Sequence, residues 1–151
     1  MDNFISETMD LQIFPIKAEY ARDVKKLSEQ LGYPLSFADI KTNITEIIAS
    51  HEHAVFVASY NEKTVGWIHA FRCTLLESNP FIEIGGLVVD EAYRGKGIGK
   101  KLVTGIREWS LEKGCHDIRV RSHVKRKGAH KFYTGIGFKE SKEQKVFEMK
   151  L

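Results

Sequence analysis

The chain has 151 residues, 42% hydrophobic and 28% charged, a composition typical of a single globular domain over residues 1–151. It has no apolar run of about 18 residues and no basic, apolar leader, so we expect neither a transmembrane helix nor a secretory signal. Two isolated cysteines, Cys73 and Cys115, favour free thiols and a cytoplasmic protein. His51 and His53 lack nearby ligands, so they indicate a solvated turn and no metal site.

The charge is unevenly distributed. The net charge is +3, but residues 1–93 carry 7 basic and 14 acidic side chains, whereas residues 94–151 carry 16 and 6. A polyanionic ligand held by the second half would explain this asymmetry. A nucleic-acid-binding module is an alternative, but interleaved aromatic residues are few there and no known binding motif occurs. We therefore expect no nucleic-acid partner.

The first third of the chain predicts one strand and two helices. Apolar residues predict a strand over 11–16, and apolar residues at helical spacing predict a helix over 18–31 that stops at Gly32. Ser36 is the predicted N-cap of the second helix, whose apolar face begins at Ile40.

The rest of the chain predicts six further strands and two helices. The strands are predicted at 54–60, 64–73, 82–89, 117–121, 137–140 and 146–151, and the helices at 97–113 and 128–135. The order β-α-α-β-β-β-α-β-α-β-β predicts an α/β (α+β) fold. We expect a mixed central sheet of six or seven strands with helices on both faces.

A glycine-rich basic loop, Arg94-Gly95-Lys96-Gly97-Ile98-Gly99, connects the strand that ends at Val89 to the long helix. Glycines at a helix start let a ligand approach the backbone closely. The free amides and the positive end of the helix dipole favour phosphate there. The loop matches neither a Walker A sequence nor a dinucleotide fingerprint, and it predicts a pyrophosphate site.

A second motif follows at 129–138, where the chain reads Ala-His-Lys-Phe-Tyr-Thr-Gly-Ile-Gly-Phe. Arg-x-x-Gly-x-Gly after an apolar strand, followed by Ala-x-x-x-Tyr-x-x-x-Gly-Phe, resembles the two core motifs of GNAT-type N-acetyltransferases. The resemblance covers roughly residues 80–140 and is greatest to small-amine enzymes such as the aminoalkylphosphonate acetyltransferases. It implies a GNAT-like fold, acetyl-CoA as co-substrate, and acetyl transfer to a primary amine by direct attack in a ternary complex.

The resemblance also implies which residues hold the coenzyme, with Leu87 and Val89 acting through their backbone. The expected cofactor-binding residues are Leu87, Val88, Val89, Arg94, Gly95, Lys96, Gly97, Ile98, Gly99, Arg126 and His130. Arg126 departs from the pattern, since many members have Asn at this position; a phosphate contact is the alternative to the amide contact.

Two residues are the expected catalytic groups. Glu83 is a carboxylate in an otherwise apolar strand, where burial is costly unless the group is paired or used. The resemblance implies that it draws a proton from the amine; a paired structural role is the alternative. Tyr133 has a phenol with a reference pKa of ~10, above the ~8.5 of a thiol, and can therefore protonate a departing thiolate. The resemblance assigns it that role, and core packing is the alternative.

The sequence indicates the acceptor amine less directly than it indicates the cofactor. Candidate lining residues are Tyr33, Pro34, Phe37, His69, Phe71 and His123. The acidic first half suits a cationic amine, whereas basic residues near the cleft suit a zwitterion with a phosphonate or carboxylate. A small-molecule amine is the expected partner, with no membrane partner; a homodimer is compatible with the sequence. The alternative activity is protein or peptide N-acetylation.

Overall fold

Five strands and four α-helices make up the part of the chain that the computed structural model describes, residues 10–32 and 34–151. Short 3-10 turns occupy residues 18–20 and 91–93. In chain order, the elements are β1 (Leu11–Pro15), α1 (Ala21–Glu29), α2 (Phe37–Ala49), β2 (His53–Tyr60), β3 (Lys63–Cys73), β4 (Phe81–Val89), α3 (Ile98–Glu112), β5 (Ile118–Val120) and α4 (Lys127–Gly135).

The strands form one mixed sheet in the order β1-β2-β3-β4-β5. The pairs β1–β2, β2–β3 and β3–β4 are antiparallel, and β5 runs parallel to β4. One face packs on α1 and α2 through a core that includes Ala21, Ile40 and Val57. The other face packs on α3, where Leu102 lies beside Gly66 and Gly105 lies beside Phe56. The expectation of a mixed sheet with helices on both faces is confirmed.

The predicted number of strands is wrong. The runs 137–140 and 146–151 form no strand, and residues 139–151 are exposed. Phe147, Met149 and Leu151 have the alternation of a strand, and they are 87%, 85% and 114% exposed. A strand is stable only when a neighbour pairs with it and covers one face. No described residue does so, and the alternation alone does not make a strand.

The second helix begins as its sequence predicts. Ser36 is its N-cap, and the Ser36 hydroxyl oxygen accepts a hydrogen bond of 3.1 Å from the amide of Asp39. This cap satisfies one of the amides that a helix start leaves free. Ile40 and Ile44 are then buried against the sheet core. Local capping and apolar spacing together fix this helix.

The chain divides into two compact units, residues 1–121 and 122–151, which are described separately below. The first contains the whole sheet with α1, α2 and α3, and the second contains α4. The expectation of one domain over residues 1–151 stays a prediction. In the ranges 10–32 and 34–151, no helix combines the length and apolarity needed to cross a bilayer.

Candidate active site

The loop between β4 and α3 has the geometry of an anion site. Gly95 and Gly97 have φ angles of +78° and +79°, in the left-handed region that favours glycine. A Cβ atom at either position would meet no heavy atom within 4 Å, so the space beside the loop is open. Ile98 and Gly99, in contrast, are buried in the first turn of α3. A ligand can therefore lie directly against the loop backbone.

The amides of this segment have no acceptor among the described residues. The amides of residues 95–100 donate to none of them, and the helical ladder starts with the Lys101 amide, which donates to the Gly97 carbonyl over 3.1 Å. Unpaired amides at the positive end of a helix dipole attract anions. A phosphate group is the ligand that suits such a position.

Two basic side chains flank the loop and are held in different ways. The Arg94 Nε atom donates a hydrogen bond of 3.1 Å to the Val89 carbonyl oxygen, which ties the loop to the end of β4. The Lys96 ammonium lies 5.6 Å from the ring centre of Tyr60 and 5.3 Å from that of Tyr93. Cation–π attraction holds it beside the loop. Both positive charges thus remain where a polyphosphate would bind.

One side of β4 is open next to this loop. Strand β5 pairs only with residues 82–84 of β4. Residues 86–89 pair with β3 on one side, and residues 85–89 pair with no described strand on the other. An extended ligand can add to such an edge as a further strand would.

The backbone of Leu87 and Val89 faces the open side. The amide of Asp90 donates to Val65 on β3 over 2.8 Å, and backbone groups point alternately to the two sides of a strand. The Val89 and Leu87 amides therefore point away from β3. Val88, the third residue expected to bind the coenzyme, directs its backbone towards β3, and its side chain is 2% exposed.

The two glycines in β4 form a bulge. The register shifts so that Ile84 pairs with Ala70 and Gly86 pairs with His69, which leaves Gly85 unpaired. A Cβ at Gly86 would lie 2.8 Å from the ring of Trp67, so a side chain is excluded there. Gly85 is exposed. The bulge leaves a bare stretch of backbone beside the open half of β4.

Glu83 lies on the half of β4 that pairs with β5. Its side chain is 14% exposed, and its Oε1 atom forms an ion pair with Arg121 Nε over 2.8 Å. The carboxylate is thus paired, as the structural alternative expects, and it keeps further lone pairs for a second donor. Its role as a base stays a prediction.

A pair of histidines lies on the same face of the sheet. His53 Nδ1 and His69 Nε2 are 2.9 Å apart, and the two rings stack. Burial, with a smaller contribution from His53, lowers the pKa of His69 to about 4 and leaves the ring neutral at pH 7. The pair lines a cavity of about 470 Å³ together with Asn43, Glu46, Ile47 and Ser50. The expectation of a solvated turn is wrong for His53, which is the first residue of β2, and holds for exposed His51.

In the second unit, Tyr133 lies on α4 in a small aromatic cluster. Its ring centre is 5.2 Å from that of Phe132 and 5.5 Å from that of Phe138, both in edge-on geometry. Burial raises the pKa of Tyr133, and the nearby Arg126 guanidinium opposes this shift. The phenol therefore stays protonated through neutral pH, as a proton donor must. The role as an acid stays a prediction.

His130 and Arg126 are the other two residues of this unit that we expect to bind the coenzyme. The His130 Nε2 atom lies 2.9 Å from the carbonyl oxygen of His123 and donates to it. The Lys125 amide in turn donates to His123 Nδ1 over 3.1 Å. Arg126 is exposed and directly precedes α4. Contact of Arg126 or His130 with a coenzyme stays a prediction.

The structure brings together only some of the remaining residues that we expect to line the acceptor site. His69 and Phe71 lie on one face of β3, Phe37 is at the start of α2, and Pro34 is exposed. Tyr33 lies outside the described residues. No cluster of three or more His, Cys, Asp or Glu side chains suited to a metal ion occurs in the described ranges.

Sequence reasoning missed Arg119 on β5 and Arg121, which directly follows this strand. Arg119 is the register partner of Glu83, and Arg121 forms an ion pair with Glu83. The available signal was the alternation Arg-x-Arg in the predicted strand 117–121, which places both side chains on one face.

Comparison with known proteins agrees with this geometry. The model of the acetyltransferase (GNAT) family matches residues 18–138. An aminoglycoside N(6')-acetyltransferase type 1 from Stenotrophomonas maltophilia is 29% identical over 72% of this chain and 74% of its own length. The N-alpha-acetyltransferase MAK3 of Arabidopsis thaliana is 39% identical over 39% of this chain and 31% of its own. A solved structure of the aminoglycoside N-acetyltransferase AAC(6')-Iy in complex with CoA superposes with a TM-score of 0.86 at 20% identity, covering 97% of this chain and 98% of that one.

Proposed function

Because the chain belongs to the acetyltransferase (GNAT) family, we propose that it moves the acetyl group of acetyl-CoA to a primary amine of a small molecule by direct attack in a ternary complex. The family match confirms the expectation of an acetyltransferase that uses acetyl-CoA. The acceptor, the order of events and the residue roles are proposals.

One observation carries the proposal: the open side of β4 leads into the phosphate loop. Strand β5 leaves residues 85–89 unpaired on one side, and the free amides of residues 95–100 follow directly. A linear molecule with a pyrophosphate at one end and amide groups along its arm fits this arrangement. The loop would bind the pyrophosphate, and Leu87 and Val89 would bind the arm through their backbone.

Acetyl-CoA supplies an activated thioester carbonyl, and the chain supplies position and proton transfer. A new C–N bond forms as the C–S bond breaks, the amine loses one proton, and the leaving sulfur gains one. A backbone amide on the open side of β4 would polarise the carbonyl oxygen. Glu83 would accept the amine proton, directly or through water, and Tyr133 would donate the proton to sulfur.

A small-molecule acceptor is supported better than a protein or peptide. The aminoglycoside N(6')-acetyltransferase of Stenotrophomonas maltophilia matches 72% of this chain, whereas the N-alpha-acetyltransferase of Arabidopsis thaliana matches 39%. The longer match supports the small-molecule acceptor. The small-amine subtype, cytoplasmic localisation and a homodimer stay predictions.

The test is a screen for thiol release with acetyl-CoA and a panel of amines, run beside mass spectrometry of peptides incubated with the enzyme. We expect turnover of at least one small amine and no acetylated peptide. Acetylated peptide N-termini without turnover of any small amine would favour the alternative activity.

A further inference from the structure

The face of the sheet that carries Glu83 also carries a row of register partners across four strands, and three members of this row are polar. His53 on β2 pairs with Phe71 on β3, Phe71 pairs with Glu83 on β4, and Glu83 pairs with Arg119 on β5. Register partners lie side by side on the same face of a sheet. The row therefore runs from the histidine pair, across Glu83, to the basic edge strand.

Two guanidinium groups stand beside the single carboxylate of this row. The Arg119 Cζ atom lies 3.8 Å from the ring centre of Phe81, a cation–π contact that keeps the guanidinium beside this ring. The Arg121 Nε atom forms an ion pair with Glu83, while the Arg121 side chain is 72% exposed. Its terminal nitrogens are thus available to a ligand. One positive charge remains in excess after Glu83 is neutralised.

The cavities on this face have few groups that attract a polycation. The cavity at the histidine pair contains one carboxylate, Glu46, and the neutral His69. A second cavity of about 400 Å³ is lined by Ser28, Leu31, Leu35, Ile40, Trp67, Gly85 and Gly86, with no charged side chain. Several amines on one acceptor would need several carboxylates to balance their desolvation.

We propose that the acceptor carries an anionic group, a carboxylate or a phosphonate, that Arg119 and Arg121 bind while its amine lies towards the Gly85–Gly86 bulge. Arginine offers paired N–H donors that match both anions. The substrate class is thus an amino acid or aminophosphonate with separated charges. This inference rests on the proposed function, since it assigns the acceptor side of the same site.

The experiment compares matched acceptors. Initial rates of thiol release are measured with 4-aminobutyrate, 3-aminopropylphosphonate, butylamine and kanamycin, at saturating acetyl-CoA. We expect kcat/KM for the better acid to exceed that for butylamine by about tenfold or more, the factor that corresponds to one charge-assisted hydrogen bond. The ratio of the two acids identifies the preferred anion. Equal or faster turnover of butylamine or kanamycin overturns the inference and leaves the proposed function standing.

The variants locate the anion site. Arg119→Gln should lower kcat/KM for the acids about tenfold and leave butylamine unchanged. Arg107→Gln, at an exposed arginine on α3, is the matched control and should change neither. An equal loss for acids and butylamine in Arg119→Gln would mean that Arg119 only packs on Phe81, and the inference fails.

A binding measurement separates this inference from the proposed function. Calorimetry with 3-aminopropylphosphonate in the presence of CoA should show binding that Arg119→Gln weakens and Arg107→Gln does not. Absence of turnover with every amine would sink the proposed function. Absence of calorimetric binding, in titrations with 3-aminopropylphosphonate and with 4-aminobutyrate, would sink the inference, whatever the rates show.

Discussion

Arg121 forms an ion pair with Glu83, and 2.8 Å separate its Nε atom from Oε1 of the carboxylate, next to the short parallel pairing of β4 and β5. The carboxylate is 14% exposed, whereas the arginine is 72% exposed and reaches it from solvent. The attraction between the two opposite charges favours this orientation of the carboxylate. The proposed base therefore has a charged partner before any acceptor arrives.

Replacing Glu83 with Gln should lower kcat with little change in acetyl-CoA affinity. The amide keeps a carbonyl oxygen for Arg121 but cannot accept the amine proton. We expect a loss of about 10²–10³ in kcat, greatest at low pH, where more of the amine is protonated. Steady-state rates between about pH 6 and pH 9, with calorimetric titration of CoA, measure both quantities.

Glu52→Gln is the control for this variant, because Glu52 is the ion-pair partner of Arg72, at 3.5 Å, on the neighbouring part of the sheet. It should keep the wild-type profile. If Glu83→Gln also keeps the height and shape of the profile, Glu83 is only a structural partner of Arg121.

Replacing Tyr133 with Phe should remove a proton donor and keep the packing. The rings of Phe132 and Phe138 would contact the phenyl group as they contact the phenol. General acid assistance contributes about 10²–10⁴ in rate, so we expect kcat to fall within or just below that range. An acyl donor whose thiol has a lower pKa should reduce the loss, because its thiolate needs less protonation.

Thermal unfolding and CoA titration of Tyr133→Phe should match the wild type. Tyr20→Phe, far along the chain and packed on Phe14, serves as the control for loss of a phenol hydroxyl. A near-wild-type kcat in Tyr133→Phe would reduce Tyr133 to a packing residue.

Replacing Gly97 with Asn should weaken acetyl-CoA binding at least about tenfold, the effect of losing roughly 1.4 kcal/mol of binding free energy. Asn tolerates the left-handed backbone that Gly97 adopts at φ +79°, so the loop can keep its shape. Its side chain would enter the open space beside the loop, which the pyrophosphate needs. Gly99 is less suitable for this test because it is buried in α3.

The chain offers a matched control at the other end of α3. Gly114 has a φ of +71° and open space around it, like Gly97. Gly114→Asn should therefore share any backbone cost but keep the affinity for acetyl-CoA. Equal affinities in the two variants, both folded, would rule out the loop as the pyrophosphate site.

The partly buried His69 should make the protein less stable as the medium becomes acidic. An unfolded histidine takes up a proton near pH 6.5, whereas folded His69 does so near its lowered pKa of about 4. Between these values the unfolded state binds more protons, so the free energy of unfolding falls as pH falls. Because solvent reaches part of the ring, we expect a loss of about 1–2 kcal/mol between pH 7 and pH 5.

Urea unfolding at the two pH values measures this dependence. His69→Gln should reduce the difference between them, while His51→Gln, at an exposed histidine, should not. A wild-type protein equally stable at both values would show that the His53–His69 pair opens without cost.

Much of this structure can be predicted from the sequence, because it depends on interactions between residues close together in the chain. The N-cap at Ser36, the helix that starts after Gly97 and the phosphate-binding features of the loop depend on residues within one or two turns of each other. Such features can be read from the sequence because the interactions that create them are local. The family resemblance of the two motifs rests on the same short segments.

The relations between strands were decided by the tertiary structure. Register placed Arg119 beside Glu83 and His53 beside Phe71, and the bulge at Gly85 shifted the later half of β4 by one residue. The alternation in Phe147, Met149 and Leu151 led to a wrong strand, because pairing requires a neighbour that no local pattern supplies. The sequence by itself therefore determined the caps, the loop and the family. The pairing of strands decided which charged groups meet at the site, because those contacts join residues far apart in the chain.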